Sequence, residues 1–225
     1  MQADATVRVT PEKAFFSPGE PASFSVAATG GERVSATVTH LADTLDTFSA
    51  ALTHGVATLT WTPPADAPRG YGLTVQLLDE HDAVLATDST AFDVLEDWTQ
   101  APRYGFLTEF DSDRENVETT LDWVTRYHVN GLQFYDWQYR HETLLPPGEH
   151  YSDLLGRRMS LDTVKQLIEA AHAHNVAAMP YTAIYGASAA FYQQHPQWAL
   201  FQGSGRPYEF GDNYLIIMDP SPASP

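Results

Sequence analysis

Cysteine is absent from the 225-residue sequence, so disulfide scaffolds and thiolate metal sites are excluded and the redox compartment is left open. Cations are scarce: 12 Lys plus Arg stand against 29 Asp plus Glu, a formal charge of −17. A field of that sign opposes phosphate backbones and anionic lipid surfaces. Nucleic acid is therefore not an expected partner, and a neutral or cationic one fits better. No stretch approaches the roughly 20 apolar residues of a membrane-spanning helix. The opening MQADATVRVT has no basic region followed by an apolar run, so it is not an intact secretory signal. An HExxH pair, a phosphate-cradling glycine loop and a Gly-x-Ser-x-Gly elbow are also missing. Zinc-peptidase, nucleotide and serine-hydrolase readings are weak for that reason. His172 and His174 lie two apart, on different faces of a helix, and no Asp-rich loop of the EF-hand type occurs. No metal or cofactor is expected.

What is present is an ordinary globular composition, 43% hydrophobic and 18% charged, arranged in two halves of different period. Residues 1–97 read as short alternating strands: ASFSVAAT (22–29), RVSATVTH (33–40), GVATLTW (55–61), GLTVQLLD (72–79) and STAFDVLE (89–96), separated by Gly- and Pro-rich turns. That spacing predicts an antiparallel, immunoglobulin-like β-sandwich, although the Cys and Trp hallmarks of antibody domains are missing.

Residues 98–225 alternate apolar runs with helical stripes. RYGFLTEF (103–110) is a strand, and Ser112 with Glu115 offers a capping box for a helix carrying Val117, Leu121 and Val124. Asn130 and Gly131 read as its stop signals, and LQFYDW as the next strand. A second helix starts at Ser160, with Leu161, Val164, Leu167, Ile168 and Ala171 on one stripe before Asn175. VAAMPYTAIY (176–185) is a third strand, and a short helix from Ser188 stops near His195 and Pro196. Strand and helix in alternation predict a parallel sheet wrapped by helices. Three such units are the first part of a (β/α)8 TIM barrel, which needs about 250 residues; the expectation is therefore a multi-domain chain, a sandwich followed by a truncated barrel. A flavodoxin-like half is the rival geometry, but its phosphate-binding turns do not appear.

Functional residues of a parallel barrel sit after the C-terminal ends of its strands. Glu109 and Asp111 follow the first strand, Asp136, Trp137, Arg140 and His141 the second, and Tyr181 and Tyr185 the third. The connection from Gln138 to Met159 is longer than the usual few residues, which points to a binding loop. Aromatic faces beside planar and charged hydrogen-bonding groups suit a sugar, which offers C–H patches ringed by hydroxyls. Each residue has a plainer reading. Asp136 and Arg140 could form an ion pair at i,i+4, Glu109 and Asp111 could cap the next helix, and Asp219 could be structural. Strand alternation places Phe134 and Asp136 on one side, Gln133 and Tyr135 on the other. Trp123 and Trp198 read as packing residues.

The stretches APRYGFLTEF, YHVNGLQFYDWQYRHE, MPYTAIYGAS and LIIMDPS resemble glycoside hydrolase family 66, the endo-dextranases and cycloisomaltooligosaccharide glucanotransferases, over residues 101–221. FFSPGEPASFSV resembles the family's N-terminal domain more weakly. The resemblance implies a secreted or cell-surface bacterial enzyme cutting α-1,6-linked glucan (dextran or isomaltooligosaccharides) within the chain, with retention, on a (β/α)8 barrel. Retention uses two carboxylates about 5 to 5.5 Å apart. In the family both lie on later barrel strands, so no catalytic residue is assigned in this sequence. Asp136 matches the family aspartate that hydrogen-bonds the reacting glucose, and Trp137, Arg140, His141, Tyr181 and Tyr185 match positions around the same pocket. The sequence is expected to be the front of a larger enzyme. A non-catalytic glucan-binding protein is the alternative, and nothing in the residues separates hydrolase from glucanotransferase.

Overall fold

The computed structural model describes residues 5–65, 68–114, 117–211 and 214–221. In chain order the strands of the first half are β1 (Thr6–Pro11), β2 (Ala22–Thr29), β3 (Arg33–His40), β4 (Asp43–Ala51), β5 (Val56–Trp61), β6 (Arg69–Leu78) and β7 (Val84–Val94). There follow β8 (Tyr104–Leu107), α1 (Val117–Arg126), β9 (Gly131–Phe134), β10 (His150–Ser152), β11 (Arg158–Ser160), α2 (Leu161–Ala173) and β12 (Ala177–Pro180). The last elements are β13 (Gly186–Ala187), α3 (Ala189–Gln194), β14 (Glu209–Phe210) and β15 (Leu215–Ile217). The chain forms two compact units: Met1–Gly105, Asn116–Leu132 and Glu169–Ala178 make the first, and Phe106–Glu115, Gln133–Ile168 and Met179–Pro225 the second.

The first unit holds two antiparallel sheets, ordered β1-β2-β5 and β4-β3-β6-β7. Successive side chains on a strand point to opposite faces, so one apolar set per strand turns inward. Ala22, Phe24 and Val26 of β2 meet Val34, Ala36 and Val38 of β3 and Leu73, Val75 and Leu77 of β6 in a single core. Phe24 lies 5.8 Å from Phe16 and 4.9 Å from Phe92, ring centroid to ring centroid. Burying a side chain of this size contributes about 1.5–3 kcal/mol. All five strands read from the sequence are present. Two more, β1 and β4, complete the sheets. β4 is an edge strand paired only with β3, and its residues are mostly exposed, so its sequence, DTLDTFSAA, carries no apolar alternation to announce it.

At the end of β7, Phe16 N donates to Asp93 O and Leu95 N to Phe16 O, both at 2.9 Å, and Asp97 caps a short 3-10 turn by accepting from Thr99 N at 2.9 Å. Asn130 is fully buried. Its Oδ1 accepts from Arg103 N at 2.8 Å and its Nδ2 donates to Ala101 O at 2.9 Å. It therefore fastens the segment leading into β8 rather than ending α1. That helix stops at Arg126, and the left-handed residue after it is His128 (φ 60°). Glu115 of the expected capping box lies outside the described residues, and Ser112 donates to the Asp111 carboxylate instead. At α2 the expected start holds: Ser160 Oγ accepts from Thr163 N at 3.1 Å, and Val164, Leu167 and Ala171 are buried. Asn175 (φ 55°) ends it in the left-handed conformation, as asparagine commonly does past a helix C-terminus.

Strands β8, β9 and β12 form one sheet, ordered β12-β9-β8. Gly131 N donates to Arg103 O and Tyr135 N to Leu107 O, while Ala177 N donates to Asn130 O and Tyr181 N to Phe134 O. Both partners advance together in each pair, so the strands run parallel, joined through α1 and α2. The third strand is shorter than the run 176–185 suggests, ending at Pro180. In the second unit β10 and β11 make a hairpin inside the long connection after β9. The apolar run LII forms β15, which pairs antiparallel with β13 and β14 in a separate small sheet. α3 begins as expected, with Ser188 Oγ accepting from Phe191 N at 3.2 Å.

Candidate functional site

The second unit carries the ends of the three parallel strands. Phe134 is buried and stacks on Phe110 at 5.7 Å, which closes the core under the strand ends. Strict alternation then breaks. Asp136 has φ 54°, a left-handed conformation that aspartate tolerates better than most residues because its short side chain bonds locally. The chain therefore bends immediately after β9, and no helix runs from 136 to 140. The i,i+4 ion pair that is the plainer reading of Asp136 and Arg140 is not made. Asp136 Oδ2 instead lies 3.3 Å from Nη2 of Arg157, a residue of the β10–β11 turn that the sequence reading missed. Arg140 donates to the carbonyls of Tyr139 (2.6 Å) and Ser152 (2.8 Å), and its guanidinium lies 4.0 Å over the Tyr139 ring. It ties the loop to β10 through backbone and ring contacts.

Arg157 is held from its other side by Asp153, which is nearly buried. Arg157 Nε donates to Asp153 Oδ2 at 2.6 Å, and Asp153 Oδ1 accepts from the backbone N–H groups of Leu155 (3.0 Å) and Arg157 (2.8 Å). Burial works against the arginine's charge, but the hydrogen bond and charge of Asp153, with the charge of Asp136, outweigh it and raise its pKa.

Asp136, Arg140 and His141 line one gap of about 10 Å³ with Gln138, Asp153, Leu154 and Tyr214, room for about one water molecule. His141 Nδ1 and Gln138 Oε1 are buried there without a partner among the described residues. Burial lowers the His141 pKa, against the pull of Asp136 and Glu142. Burial, and after it the charges of Asp136 and Asp153, raises the pKa of the Tyr214 phenol.

The tyrosines form a second group. Tyr181 stacks on Tyr135 at 5.0 Å with 28° between the planes, and its hydroxyl lies 3.2 Å from that of Tyr185. That hydrogen bond, with burial second, raises the Tyr181 pKa. Tyr135 and Tyr185 are each 41% exposed, enough free ring surface to stack on a ligand. Tyr135 belongs with them and was placed by the sequence only as a strand residue. Trp137 connects the strands beneath: its indole N–H donates to Tyr181 O at 3.0 Å, and its carbonyl accepts from the Tyr151 hydroxyl. Burial, and less so Asp153 and Glu149, pushes Tyr151 up to about 12.

The other acidic residues near the strand ends make structural contacts, through the carboxylate or through the backbone. Asp111 meets Arg158 at 2.8 Å. Glu109 has φ 64°, and its carbonyl accepts from Arg114 Nη1. Asp219 accepts from the N–H and hydroxyl of Ser221. Glu142, unremarked in the sequence, accepts from both N–H (3.0 Å) and Oγ (2.6 Å) of Ser188 at the start of α3. Trp198 stacks on His195 at 3.9 Å, and Trp123, 46% exposed, stacks on Tyr127.

An acidic group at a strand end, a fixed guanidinium and a row of phenol rings thus lie together in the second unit. Comparison with known proteins gives the family. The sequence matches glycosyl hydrolase family 66 over residues 11–223, and the chain belongs to this family. A cycloisomaltooligosaccharide glucanotransferase of Niallia circulans is 32% identical over 241 residues, covering 95% of this chain and 24% of that protein. A dextranase of Streptococcus salivarius is 25% identical over 175 residues, covering 68% of this chain and 21% of that protein. The crystal structure of a Paenibacillus sp. cycloisomaltooligosaccharide glucanotransferase complexed with cycloisomaltoheptaose superposes with a TM-score of 0.83 at 28% identity. It covers 96% of this chain and 34% of that one. The chain thus spans about a quarter of the length of the curated relatives it matches.

Proposed function

We propose that this chain is part of a glycoside hydrolase acting inside α-1,6-linked glucan, and that it supplies an accessory domain and part of the glucose-binding site. Residues 1–97 are the accessory domain, an immunoglobulin-like sandwich. Residues 98–225 are the first three βα units of a (β/α)8 barrel. Family membership over residues 11–223 carries the reading, and the grouping of Asp136 with exposed tyrosines at the parallel strand ends supports it.

On this reading Asp136 accepts a hydroxyl of the glucose at the reacting subsite, and Tyr135, Tyr181 and Tyr185 stack on C–H faces of the glucan. Trp137, Arg140 and His141 keep the loop in place around it. No carboxylate of this chain is assigned as nucleophile or acid/base. Those two groups, separated as a retaining mechanism requires, belong to the rest of the enzyme, which acts outside the cell or at its surface.

A second reading within the same chemistry is transglycosylation to cyclic products. It is favoured by two cycloisomaltooligosaccharide glucanotransferases of Niallia circulans at 32% and 28% identity over 95% and 96% of the chain. Incubating the full-length protein with dextran and separating the products decides between them. Linear isomaltooligosaccharides support hydrolysis and cyclic ones support transfer. No change in dextran size rejects both.

A further inference from the structure

Asp136 has one charged partner among the described residues, the Arg157 guanidinium 3.3 Å away. We infer that Arg157, carried on the β10–β11 hairpin, is a positioning residue that fixes the Asp136 carboxylate for substrate, and that Asp153 is the anchor that fixes Arg157. The inference rests on the glucan reading for its substrate and on the following geometry for its logic.

A carboxylate that must accept a sugar hydroxyl has to keep one oxygen available and hold a defined plane. Ionised aspartate has two oxygens with about four acceptor sites. Arg157 occupies Oδ2 and leaves Oδ1 for an external donor. The backbone contributes the rest, because φ 54° at Asp136 sets the direction from which the side chain leaves the strand end.

Arg157 could do this only if it were itself immobile, since a free arginine has many rotamers to lose. Three features immobilise it. Its Nε donates to Asp153 Oδ2, its Nη2 lies 2.6 Å from the same oxygen, and its own backbone N–H donates to Asp153 Oδ1. Asp153 is 6% exposed, so its remaining freedom is small, and Gly156 (φ 77°) supplies the turn that closes the loop between them. The side chain of Asp136 is itself only 16% exposed, against 36% for Arg157. The pair therefore sits where solvent screening is reduced.

The alternative role for Arg157, simple stapling of the hairpin to itself, uses only Asp153. It gives no reason for Nη2 to reach Asp136, and the two roles separate experimentally. In the full-length enzyme, Arg157→Gln is expected to lower kcat/KM by about 30-fold or more. Arg157→Lys should recover only part of that, because one ammonium cannot reproduce a planar fork. Added guanidinium ion should restore activity to Arg157→Gln and not to wild type. In a cycle with Asp136→Asn, the two losses should be strongly non-additive.

Additive losses, or activity of Arg157→Gln within about threefold of wild type, which is under 1 kcal/mol in the barrier, would sink the inference. Should Arg157→Gln fail to fold, the lysine variant with the same cycle decides it by the same criterion. The glucan that wild type turns over tests the substrate reading alone. Each variant is read as a ratio to wild type on that glucan, so one claim can fail without the other.

Discussion

The indole N–H of Trp137 donates to the backbone carbonyl of Tyr181 at 3.0 Å, joining the loop after β9 to the end of β12. One side chain thereby sets the position of the residue whose ring stacks on Tyr135. Trp137→Phe keeps an aromatic ring and removes the donor, leaving the part-buried carbonyl of Tyr181 without this bond. Stability should drop by about 1 kcal/mol. If the tyrosine row binds glucan, KM should rise more than kcat falls. Thermal melting and steady-state kinetics of the full-length enzyme read the two effects separately, and an unchanged KM would remove Tyr181 from the binding surface.

Asp136→Asn should lower kcat/KM by about 100-fold or more with little change in melting temperature. Asparagine accepts the left-handed backbone, and Arg157 keeps Asp153 as its partner. Activity close to wild type would return Asp136 to a purely local role.

Glu142 serves the start of α3 by holding both polar groups of Ser188. Glu142→Ala removes two charge-assisted hydrogen bonds, and Ser188→Ala removes the cap and one of them. Each should cost about 1–2 kcal/mol, and the double variant should lose less than the sum. Denaturant titration of the three proteins provides the check; full additivity would mean the two residues act independently.

His141 gives a pH signature of known sign. Burial depresses its folded-state pKa below the ordinary value of about 6.5, so the folded protein takes up the proton later than the unfolded chain does. Stability is unaffected above about pH 6.5, falls as the pH drops through the window between the two values, and remains lower beneath it. Imidazole NMR should place the His141 midpoint below the reference, and His141→Gln should flatten this part of the stability profile. A midpoint above the reference would mean that the carboxylates of Asp136 and Glu142 dominate.

The sandwich core offers a test independent of any activity. Phe24 touches both Phe16 and Phe92 and is fully buried. Phe24→Ala should destabilise the first unit by about 3–5 kcal/mol, measured by denaturant unfolding. A cost under 1 kcal/mol would contradict the packing described.

Where apolar side chains repeat at the period of their element, the sequence announced the element. The alternation in ASFSVAAT and RVSATVTH coincides with β2 and β3 at both ends, and the stripe through Val164, Leu167 and Ala171 with α2. Of the elements that escaped notice, β4 lacks a one-sided apolar pattern because it lies at a sheet edge, the β10–β11 hairpin because its strands are three residues long, and β1 is a six-residue strand whose alternation rests on Val7 and Val9 alone. At the site the residue types were legible and their partners were not. The plainer reading paired Arg140 with Asp136 because four residues separate them, a rule that holds only on a helix. The true partner, Arg157, lies 21 residues away, where sequence spacing has no power. Its local signal was the string DLLGR, in which an aspartate four residues ahead of an arginine brackets a glycine turn.

The three hydrogen bonds that hold Asn130 between Trp98, Ala101 and Arg103 also bear on how this protein ages. Asn130 precedes Gly131, a pairing whose unhindered backbone nitrogen lets the asparagine amide cyclise and hydrolyse to an acid. In the folded chain the amide is pinned and cannot turn onto that nitrogen; once unfolded, it can. Deamidation would then place a carboxylate against the carbonyl of Ala101 and oppose refolding. Heated samples should accumulate an acidic variant, seen by ion exchange, in step with their irreversible loss of structure, while Asn130→Gln should slow that conversion even if it lowers the initial stability.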